Sequence, residues 1–229
     1  MNILITAGNA QVQIDRVRVI TNVFSGRTGA NLALAAFERG HRVTLVTSHP
    51  EISTGANTLR PKDDVAFRVV PYRTFDDIAL SLQSELATGY YDALLHAAAI
   101  ADYRIDGAFA GSDGRVAMAT AGKVKSHHAE LWLKLVPTPK LIDRVREPWG
   151  FRGVLVKFKL EVGTTDAELL AIAERSRLDS RADLMVANTL EGAAEWAFVG
   201  DGEYDRVARS KLAAEVIRRV EGLGTTTAR

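Results

Sequence analysis

Residues 18–29 read Arg-Val-Ile-Thr-Asn-Val-Phe-Ser-Gly-Arg-Thr-Gly, and this stretch decides how the rest of the chain is interpreted. A hydrophobic strand pattern at residues 3–6 precedes it, and an apolar helical pattern at residues 32–37 follows it. A glycine-rich turn that opens a helix presents backbone N–H groups at the positive end of the helix dipole, which suits a phosphate. Gly26 and Gly29 would permit close approach. The alternative is an ordinary turn that needs glycine for its backbone angles.

Strand and helix patterns alternate along most of the chain. Strands are predicted at residues 2–6, 41–47, 65–70, 91–99, 153–160 and 183–188. Helices are predicted from the glycine turn to about Arg39, at 75–86 and 140–146, from Thr165 onward, and at 211–221. This alternation predicts an α/β fold with a doubly wound, Rossmann-like, mostly parallel sheet and helices on both faces.

The middle of the chain departs from this alternation. Residues 104–122 contain four glycines and little periodicity, which predicts a protruding flexible flap around 104–130 that also serves as a dimerisation segment. A small antiparallel strand is predicted at 196–199, and a frayed tail at 223–229. Without repeats or a clear linker, residues 1–229 are expected to form a single domain.

The bulk composition excludes several classes of protein. At 47% hydrophobic and 25% charged residues, the chain has the composition of a globular protein. Its net charge of +1 gives no global field for nucleic acid or an anionic membrane, and the absence of cysteine excludes disulfides and thiolate chemistry. No segment approaches the ~20 apolar residues of a membrane span, and the start lacks signal-peptide features. We therefore expect a cytoplasmic protein with neither nucleic acid nor a membrane as partner.

Four turns are expected beyond the carboxyl ends of the parallel strands, where open α/β sheets bind ligands. They begin at Gly8, Ala97, Glu161 and Asn188, and with the stretch at 18–29 they predict a nucleotide-like ligand. A nicotinamide-dependent reductase is disfavoured on three grounds. The first loop lacks Gly-x-Gly-x-x-Gly, residues 46–48 offer no acid for a ribose, and no tyrosine has a lysine four residues later. A P-loop motif is absent.

Several polar residues outside the glycine turn have both a functional and an ordinary interpretation. Lys123 is either a cation delivered to a polyanionic reactant or part of a solvated basic patch. Asp102 follows small residues at a strand end, where it either meets a ligand or forms a turn. The adjacent His127 and His128 are poor metal partners on a regular element, so we expect no metal site made by protein side chains.

Six ordered motifs carry a resemblance to a known family. They lie at 5–8 with 14–29 (Ile-Thr-Ala-Gly, then Ile-Asp-Arg-Val-Arg-Val-Ile-Thr-Asn-Val-Phe-Ser-Gly-Arg-Thr-Gly), 97–103 (Ala-Ala-Ala-Ile-Ala-Asp-Tyr), 122–125 (Gly-Lys-Val-Lys), 137–142 (Pro-Thr-Pro-Lys-Leu-Ile), 158–161 (Phe-Lys-Leu-Glu) and 186–188 (Val-Ala-Asn). In this order and spacing they resemble the phosphopantothenoylcysteine synthetases. The chain is similar to the stand-alone form, because it lacks the flavin-dependent decarboxylase half of many bacterial versions.

The resemblance implies a ligase of coenzyme A biosynthesis. A nucleoside triphosphate, CTP or ATP with Mg²⁺, activates the carboxylate of 4′-phosphopantothenate as an acyl-nucleotide and releases pyrophosphate. The amine of cysteine then attacks the acyl carbon and expels the nucleoside monophosphate. The family also implies a homodimer.

The resemblance assigns roles position by position. The nucleotide-binding residues would be Gly8, Ser25, Gly26, Gly29, Asp102, Lys123, Pro139, Lys140, Leu141, Ile142, Phe158 and Asn188. The substrate would be bound by Asn22, Ala98, Ala99 and Asp102, with Arg18 reaching the substrate phosphate of the partner subunit. The catalytic residues would be Lys123, which stabilises charge at the α-phosphate, and Asn22, whose amide donates to the carbonyl oxygen of the intermediate.

The chain departs from the family pattern at three places. Asn9-Ala10 stand where a glycine or proline and a threonine are usual, and Phe24 stands where serine is common. Ser176 and Ser180 occupy a helix on which cytidine-using fused enzymes carry two lysines. The choice between CTP and ATP therefore stays open, with a slight preference for CTP. A nicotinamide-dependent reductase and a non-catalytic nucleotide-binding homologue remain the alternatives.

Overall fold

A computed structural model describes residues 1–51, 66–110, 116–118, 122–125 and 127–227. The strands are β1 (Asn2–Ala7), β2 (Gln11–Gln13), β3 (Val19–Thr21), β4 (Arg42–Thr47), β5 (Phe67–Pro71), β6 (Ala93–His96), β7 (Tyr103–Ala110), β8 (Val116–Met118), β9 (Leu131–Pro137), β10 (Val154–Glu161), β11 (Leu184–Thr189), β12 (Trp196–Gly200) and β13 (Tyr204–Ala208). The α-helices are α1 (Arg27–Glu38), α2 (Phe75–Ala87), α3 (Leu141–Arg146), α4 (Asp166–Asp179) and α5 (Leu212–Thr227), and a 3₁₀ turn spans Arg209–Lys211.

The central sheet has eight strands in the order β13-β12-β11-β10-β6-β1-β4-β5. All neighbours from β11 to β5 are parallel, whereas β12 and β13 are antiparallel and form one edge. The strand order reverses between β1 and β6, which are paired at the centre of the sheet. This arrangement confirms the predicted doubly wound, Rossmann-like fold, and it places the topological switch point beyond the ends of β1 and β6.

Helices cover both faces of the sheet, so the central strands are buried on both sides and consist of continuous apolar runs. Ile3, Leu4 and Ile5 are all fully buried. Ile3 and Ile5 pack in the core that includes α1 and α5, and Leu4 packs in the core that includes α2 and α3. Alternate side chains of one strand therefore anchor helices on opposite faces.

Helix starts follow local sequence signals. The helix predicted from Thr165 begins with a capping box, since Thr165 Oγ1 accepts from the backbone N–H of Glu168 and the Glu168 carboxylate accepts from the N–H of Thr165. Thr74 and Asp77 form a second capping box at α2. Of the helices that the structure describes, none combines the length and the apolar character that crossing a bilayer requires.

Four predicted regions differ from the structure. Residues 7–22, where neither a strand nor a helix is predicted, include the antiparallel hairpin β2–β3. The expected pattern-free region contains β7, which pairs with β8 and β9 in a separate three-stranded sheet. β13 was not predicted, and α5 continues to Thr227 instead of fraying from residue 223. Strands β2 and β3 are too short for a periodic signal, and β7 depends on a partner that lies beyond it in sequence. Residues 111–115, 119–121 and 126 of the proposed flap lie outside the described residues, so its mobility stays a prediction.

A buried histidine lies on the central strands near the switch point. The Nδ1 of His96 is 2.9 Å from Thr6 Oγ1, and burial, with the positive charge of Lys157 as a smaller cause, lowers the pKa of His96 to about 4. The hydroxyl oxygen of Thr6 also accepts from the backbone N–H of Ala98, 3.1 Å away. This neutral pair therefore supports the loop after β6.

We expect His96 to make the protein less stable in mild acid. Its pKa is about 4 in the folded chain against an ordinary 6.5, so between these values the unfolded chain binds more protons. The free energy of unfolding should then fall by at most about 1.4 kcal/mol per pH unit as the pH drops from 6.5 toward 4. Urea unfolding at pH 7.5, 6.5, 5.5 and 5.0 measures this slope. His96→Asn should flatten it, whereas the surface variant His127→Asn should keep it. Equal slopes in His96→Asn and the wild type would contradict the assignment.

Candidate active site

Three glycines join the start of α1 to the end of β1. Gly8 and Gly26 have positive φ angles of 86° and 82°. A Cβ on Gly26 would lie 2.6 Å from the backbone nitrogen of Gly8, and a Cβ on Gly29 would lie 2.5 Å from Cβ of Ala7. Only glycine permits this approach, and the result is that the first turn of α1 faces the loop after β1.

The first turn of α1 has the electrostatic character that an anion requires. Its N-cap, Gly26, offers no side-chain hydrogen bond, and the turn contains no acidic residue. The helix dipole and the N–H groups of this turn therefore remain available to a phosphate. Ser25, predicted to contact the nucleotide, precedes Gly26 and is exposed.

One cation at this helix start, Arg209, was not predicted from the sequence. Arg209 lies in the 3₁₀ turn after β13, and its Nη2 donates to Thr28 Oγ1 in the first turn of α1. Burial lowers the pKa of Arg209, and no ion pair with a carboxylate involves it among the described residues. Arg209 lies beyond the last motif of the resemblance, so no sequence signal pointed to it.

The loop after β6 is bound to the loop after β1. The N–H of Ala99 donates to the carbonyl of Gly8 over 2.8 Å, and the N–H of Ala10 donates to the carbonyl of Ala99 over 3.1 Å. Asn9 and Ala99 thus extend the parallel pairing of β1 and β6 by one bridge. The predicted substrate residues Ala98 and Ala99 therefore meet the predicted nucleotide residue Gly8 at the switch point.

A cavity of about 210 Å³ opens beside this junction. It is lined by residues of the hairpin, of the loop after β6 and of β9, namely Val12, Ile20, Thr21, Asn22, Ala101, Asp102, Tyr103 and Leu135. The amide nitrogen of Asn22 lies 3.5 Å from the carbonyl oxygen of Ala99. Two predicted substrate residues, Asn22 and Asp102, thus share one hollow, whose lining contains both polar and apolar side chains.

Asn9, a departure from the family pattern, connects three elements. Its N–H donates to Ser48 Oγ over 2.9 Å, and its Oδ1 accepts from Ser48 Oγ over 3.1 Å. The same oxygen lies 3.2 Å from Nε2 of His49, and the amide nitrogen of Asn9 donates to the carbonyl of Asn22. Asn9 therefore fixes the hairpin and the end of β4 against the loop after β1, and Ser48 and His49 were not foreseen.

The two flap lysines flank a residue that is bound on both sides. Lys123 and Lys125 are exposed, whereas Val124 between them is 2% exposed. The N–H of Val124 donates to Asp15 Oδ2 over 2.9 Å, and its carbonyl accepts from Nη2 of Arg18 over 2.8 Å. The Arg18 guanidinium also bonds to the Asp15 carboxylate and holds its pKa well below the usual range.

The remaining predicted nucleotide residues are spread along the same edge of the sheet. Phe158 and Asn188 lie near the carboxyl ends of β10 and β11, and Asn188 does not line the cavity that holds Asn22. Pro139 precedes Lys140, which is the N-cap of α3. The side chains of Leu141 and Ile142 are buried in the core, so α3 presents its backbone rather than these side chains to a ligand.

Ser176 and Ser180 belong to α4 and its C-cap, the region where the resemblance places two lysines in cytidine-using fused enzymes. Both serines contact Lys157 of β10. Nζ of Lys157 donates to the carbonyl of Ser176 over 2.8 Å and to Ser180 Oγ over 3.1 Å. Burial lowers the pKa of Lys157. A cation at the carboxyl end of a helix is favourable, so these bonds stabilise the end of α4.

The rings of His127 and His128 lie 4.2 Å apart, and no group of three His, Asp or Glu side chains with metal-binding geometry occurs among the described residues.

The fold and the site together define the class of protein. It is a doubly wound α/β protein whose first helix has a glycine as its N-cap, and a cavity with polar lining residues lies at its topological switch point. The model of the family described as DNA/pantothenate metabolism flavoprotein C-terminal domain matches residues 1–217. The chain belongs to this family. The match extends past Asn188, where the recognised motifs end, and it includes β12, β13 and the start of α5.

Individual relatives agree with this membership. The chain is 34% identical over 191 residues to a protein of Thermococcus kodakarensis named coenzyme A biosynthesis bifunctional protein CoaBC, covering 82% of this chain and 41% of that protein. A crystal structure titled DNA/pantothenate metabolism flavoprotein, from Streptococcus pneumoniae, has a TM-score of 0.81 at 24% identity and covers 97% of this chain and 99% of that one. A Cab2 mutant in complex with phosphopantothenate-cysteine has a TM-score of 0.75 at 17% identity, with 100% and 89% coverage. The chain thus spans about two fifths of the length of such curated relatives, and the two structures support the fold.

Proposed function

We propose that this chain is a phosphopantothenoylcysteine synthetase, a ligase that joins 4′-phosphopantothenate to cysteine at the expense of CTP or ATP. The observation that carries the proposal is the meeting of Gly8, Gly26 and Ala99 at the switch point, next to the hollow that contains Asn22 and Asp102. A triphosphate bound at the start of α1 would thereby lie beside a carboxylate bound in the hollow. The family match and the name of the CoaBC relative support this reaction.

The residues suit the charge balance of the first step. Activation brings a carboxylate and a triphosphate together, so N–H groups and cations must neutralise crowded oxygens. The first turn of α1 and Arg209 supply this charge at one end, and Lys123 supplies it at the α-phosphate. Mg²⁺ enters as an ion bound by the nucleotide phosphates. Asn22 would donate a hydrogen bond from a neutral amide to the acyl intermediate. Because the amide carries no charge, it would bind the anionic substrate of the ground state less strongly than a cation would.

Pyrophosphate release tests the proposal. Purified protein is incubated with 4′-phosphopantothenate, cysteine, Mg²⁺ and either CTP or ATP, and each component is omitted in turn. Pyrophosphate should form with one nucleotide at least, and the ligated product should require cysteine. No pyrophosphate with either nucleotide would overturn the proposal. The ratio of kcat/KM values for CTP and ATP identifies the nucleotide, for which we retain the slight preference for CTP.

One observation favours a second candidate. The parallel strands follow the order of dinucleotide-binding sheets, which keeps a nicotinamide-dependent reductase in consideration. However, Ser48 follows β4, where such enzymes place an acid, and its hydroxyl is engaged by Asn9. Fluorescence energy transfer from protein to NADPH would identify a reductase. Normal nucleotide affinity without turnover would identify a non-catalytic homologue instead.

We further propose that the protein is a homodimer that associates through the hairpin, whose turn is bonded to Gly122 and Val124 of the segment predicted to dimerise. The outer edge of strand β3 pairs with no other strand in the described part of the chain, all three of its residues are exposed, and Val17, Val19 and Val23 are 63%, 42% and 94% exposed. An exposed apolar edge strand is a typical interaction surface. Arg18 lies within this surface, and its Nη1 makes no hydrogen bond to the described residues, so it can reach a phosphate in a partner's site.

Light scattering should therefore give a mass of about twice the 24.9 kDa of one chain. Val19→Lys should shift the mass toward that of a single chain, because the added charges would face each other across the interface. Leu80→Lys introduces the same charge on α2, at a side chain that is 66% exposed, and should leave the dimer intact. A single-chain mass for the wild type at micromolar concentration would contradict the proposal. Cytoplasmic localisation remains a prediction.

A further inference from the structure

The two carboxylate oxygens of Asp15 accept hydrogen bonds from two separate parts of the chain. Oδ1 accepts from the N–H groups of Val17 and Arg18, each over 2.9 Å, and so shapes the turn between β2 and β3. Oδ2 accepts from the N–H of Val124, 109 residues away, over 2.9 Å. The side chain of Asp15 is fully buried. The turn itself uses only the first oxygen, so the second is available to Val124 and to the guanidinium of Arg18.

Arg18 completes the attachment of the lysine segment. Its Nε and Nη2 donate to Asp15 Oδ2, and Nη2 also donates to the carbonyl of Val124. The N–H of Arg16 donates to the carbonyl of Gly122 over 3.3 Å. Both backbone groups of Val124 are therefore bound by one ion pair, and its side chain is buried. The backbone on either side of this valine, which carries the exposed Lys123 and Lys125, is thereby held close to the hairpin.

We propose that Asp15 is a positioning residue that holds Lys123 in place for the reaction by binding the backbone of Val124. Asn22, the other predicted catalytic residue, follows β3 but has its own bonds to Asn9 and Ala99, so the role proposed for Asp15 concerns Lys123 alone. A free segment would have to be ordered in every turnover, and this entropic cost would raise the activation barrier. The kinetic part of this inference rests on the proposed ligase function, whereas the attachment itself does not.

Asp15→Asn tests the attachment without reference to activity. The amide can keep its oxygen on the two N–H groups of the turn, but it then directs an N–H₂ group toward the N–H of Val124 and toward Arg18. Limited trypsin digestion with mass-spectrometric mapping should show cleavage after Lys123 and Lys125 at least fivefold faster than in the wild type. The Val124 amide should exchange with deuterium faster by a similar factor. Asp106→Asn removes a partly exposed carboxylate paired with Lys134 in the neighbouring sheet and should change neither rate.

The kinetic arm connects the attachment to catalysis. In Asp15→Asn, kcat should fall about tenfold while the dissociation constant of the nucleotide changes less than twofold. In a Lys123→Ala background, the same change should have almost no effect on kcat, because the residue that it positions is absent. If the chain proves not to be a ligase, only this arm loses its meaning, and the digestion and exchange results still decide the attachment.

Two results would overturn the inference. The first is wild-type cleavage and exchange rates in a folded Asp15→Asn protein. Should Asp15→Asn fail to fold, Arg18→Gln replaces it, since this change removes the bond to the Val124 carbonyl and leaves the turn bonds of Asp15 Oδ1 intact. Unchanged cleavage in that variant is equally contradictory. The second is an independent, additive loss of kcat in the double variant, which would assign Asp15 a role unrelated to Lys123.

Discussion

Lys123→Ala is expected to lower kcat of the ligation by about 100- to 1,000-fold, the range seen when one preorganised charge-stabilising donor is removed. The dissociation constant of the nucleotide should change less than about threefold, because in the proposed site the first turn of α1 and Arg209 would supply most of the ground-state contacts to the phosphates. A residue that acts mainly in the transition state lowers kcat and kcat/KM equally and leaves binding intact. Single-turnover formation of pyrophosphate and equilibrium titration of the nucleotide measure the two quantities.

Lys125→Ala is the matched control for this prediction. Lys125 is exposed like Lys123, it lies on the other side of the same bound valine, and it carries the same charge. Its loss should reduce kcat less than about threefold, since a distant exposed charge is screened by salt. Equal losses in turnover and in nucleotide affinity for Lys123→Ala would contradict the stabilising role. Equal losses of kcat in the two lysine variants would show that the positive charge of the segment matters, and not the position of Lys123 in particular.

Gly29→Ala is expected to have the largest effect on stability. Its Cβ would lie 2.5 Å from Cβ of Ala7 and 2.9 Å from the carbonyl oxygen of Thr6, and neither atom belongs to a flexible side chain. α1 must move away from β1, and overpacking of this kind costs about 1–3 kcal/mol or more. We expect a loss of at least about 2 kcal/mol, which for a chain of this size lowers the melting temperature by roughly 4–8 °C. The displaced helix start should also weaken nucleotide binding at least tenfold.

Gly222→Ala provides the comparison, because Gly222 also lies inside a helix, α5, and a Cβ there meets nothing within 4 Å. This substitution should stabilise the protein by about 0.5–1 kcal/mol, since alanine favours the helix over glycine. Urea unfolding of both variants measures the difference. A Gly29→Ala protein as stable as the wild type would show that the contact between α1 and β1 tolerates a methyl group, and would remove the argument for glycine at this position.

The sheet was predictable from sequence because its strands are recognised locally. Parallel strands buried on both faces are continuous apolar runs, such as Ile3-Leu4-Ile5, and the helix start at Thr165 is marked by its capping box. The hairpin and β7 were missed because short antiparallel strands gain their stability from partners elsewhere in the chain. The predicted end of the last helix came too early for a different reason. The last turns of α5 carry glycine and threonine, which are weak helix formers.

The site was predictable to the extent that it lies at strand ends. The rule that parallel strands end at one edge placed Gly8 and Ala99 together, as the structure shows. Arg209, Ser48 and Asp15 act on residues 181, 39 and 109 positions away, and no spacing in the sequence indicates such contacts. The resemblance predicted residue roles but not the bonds that hold those residues, and these bonds supply the positioning argument for Lys123.

The bridge between Asn9 and Ala99 has a consequence for how the proposed ligase would recognise its carboxylic acid substrate. Since Gly8, Ala10 and Ala99 satisfy one another's backbone groups, the floor of the switch point is closed and has few polar groups left to recognise a carboxylic acid. In the proposed ligase, discrimination among acids would therefore come from the walls, namely the hairpin that leads to Asn22 and the loop that carries Asp102. The nucleotide would be bound by other elements, the loop after β1 and the start of α1, so the two substrates would be recognised by separate parts of the fold.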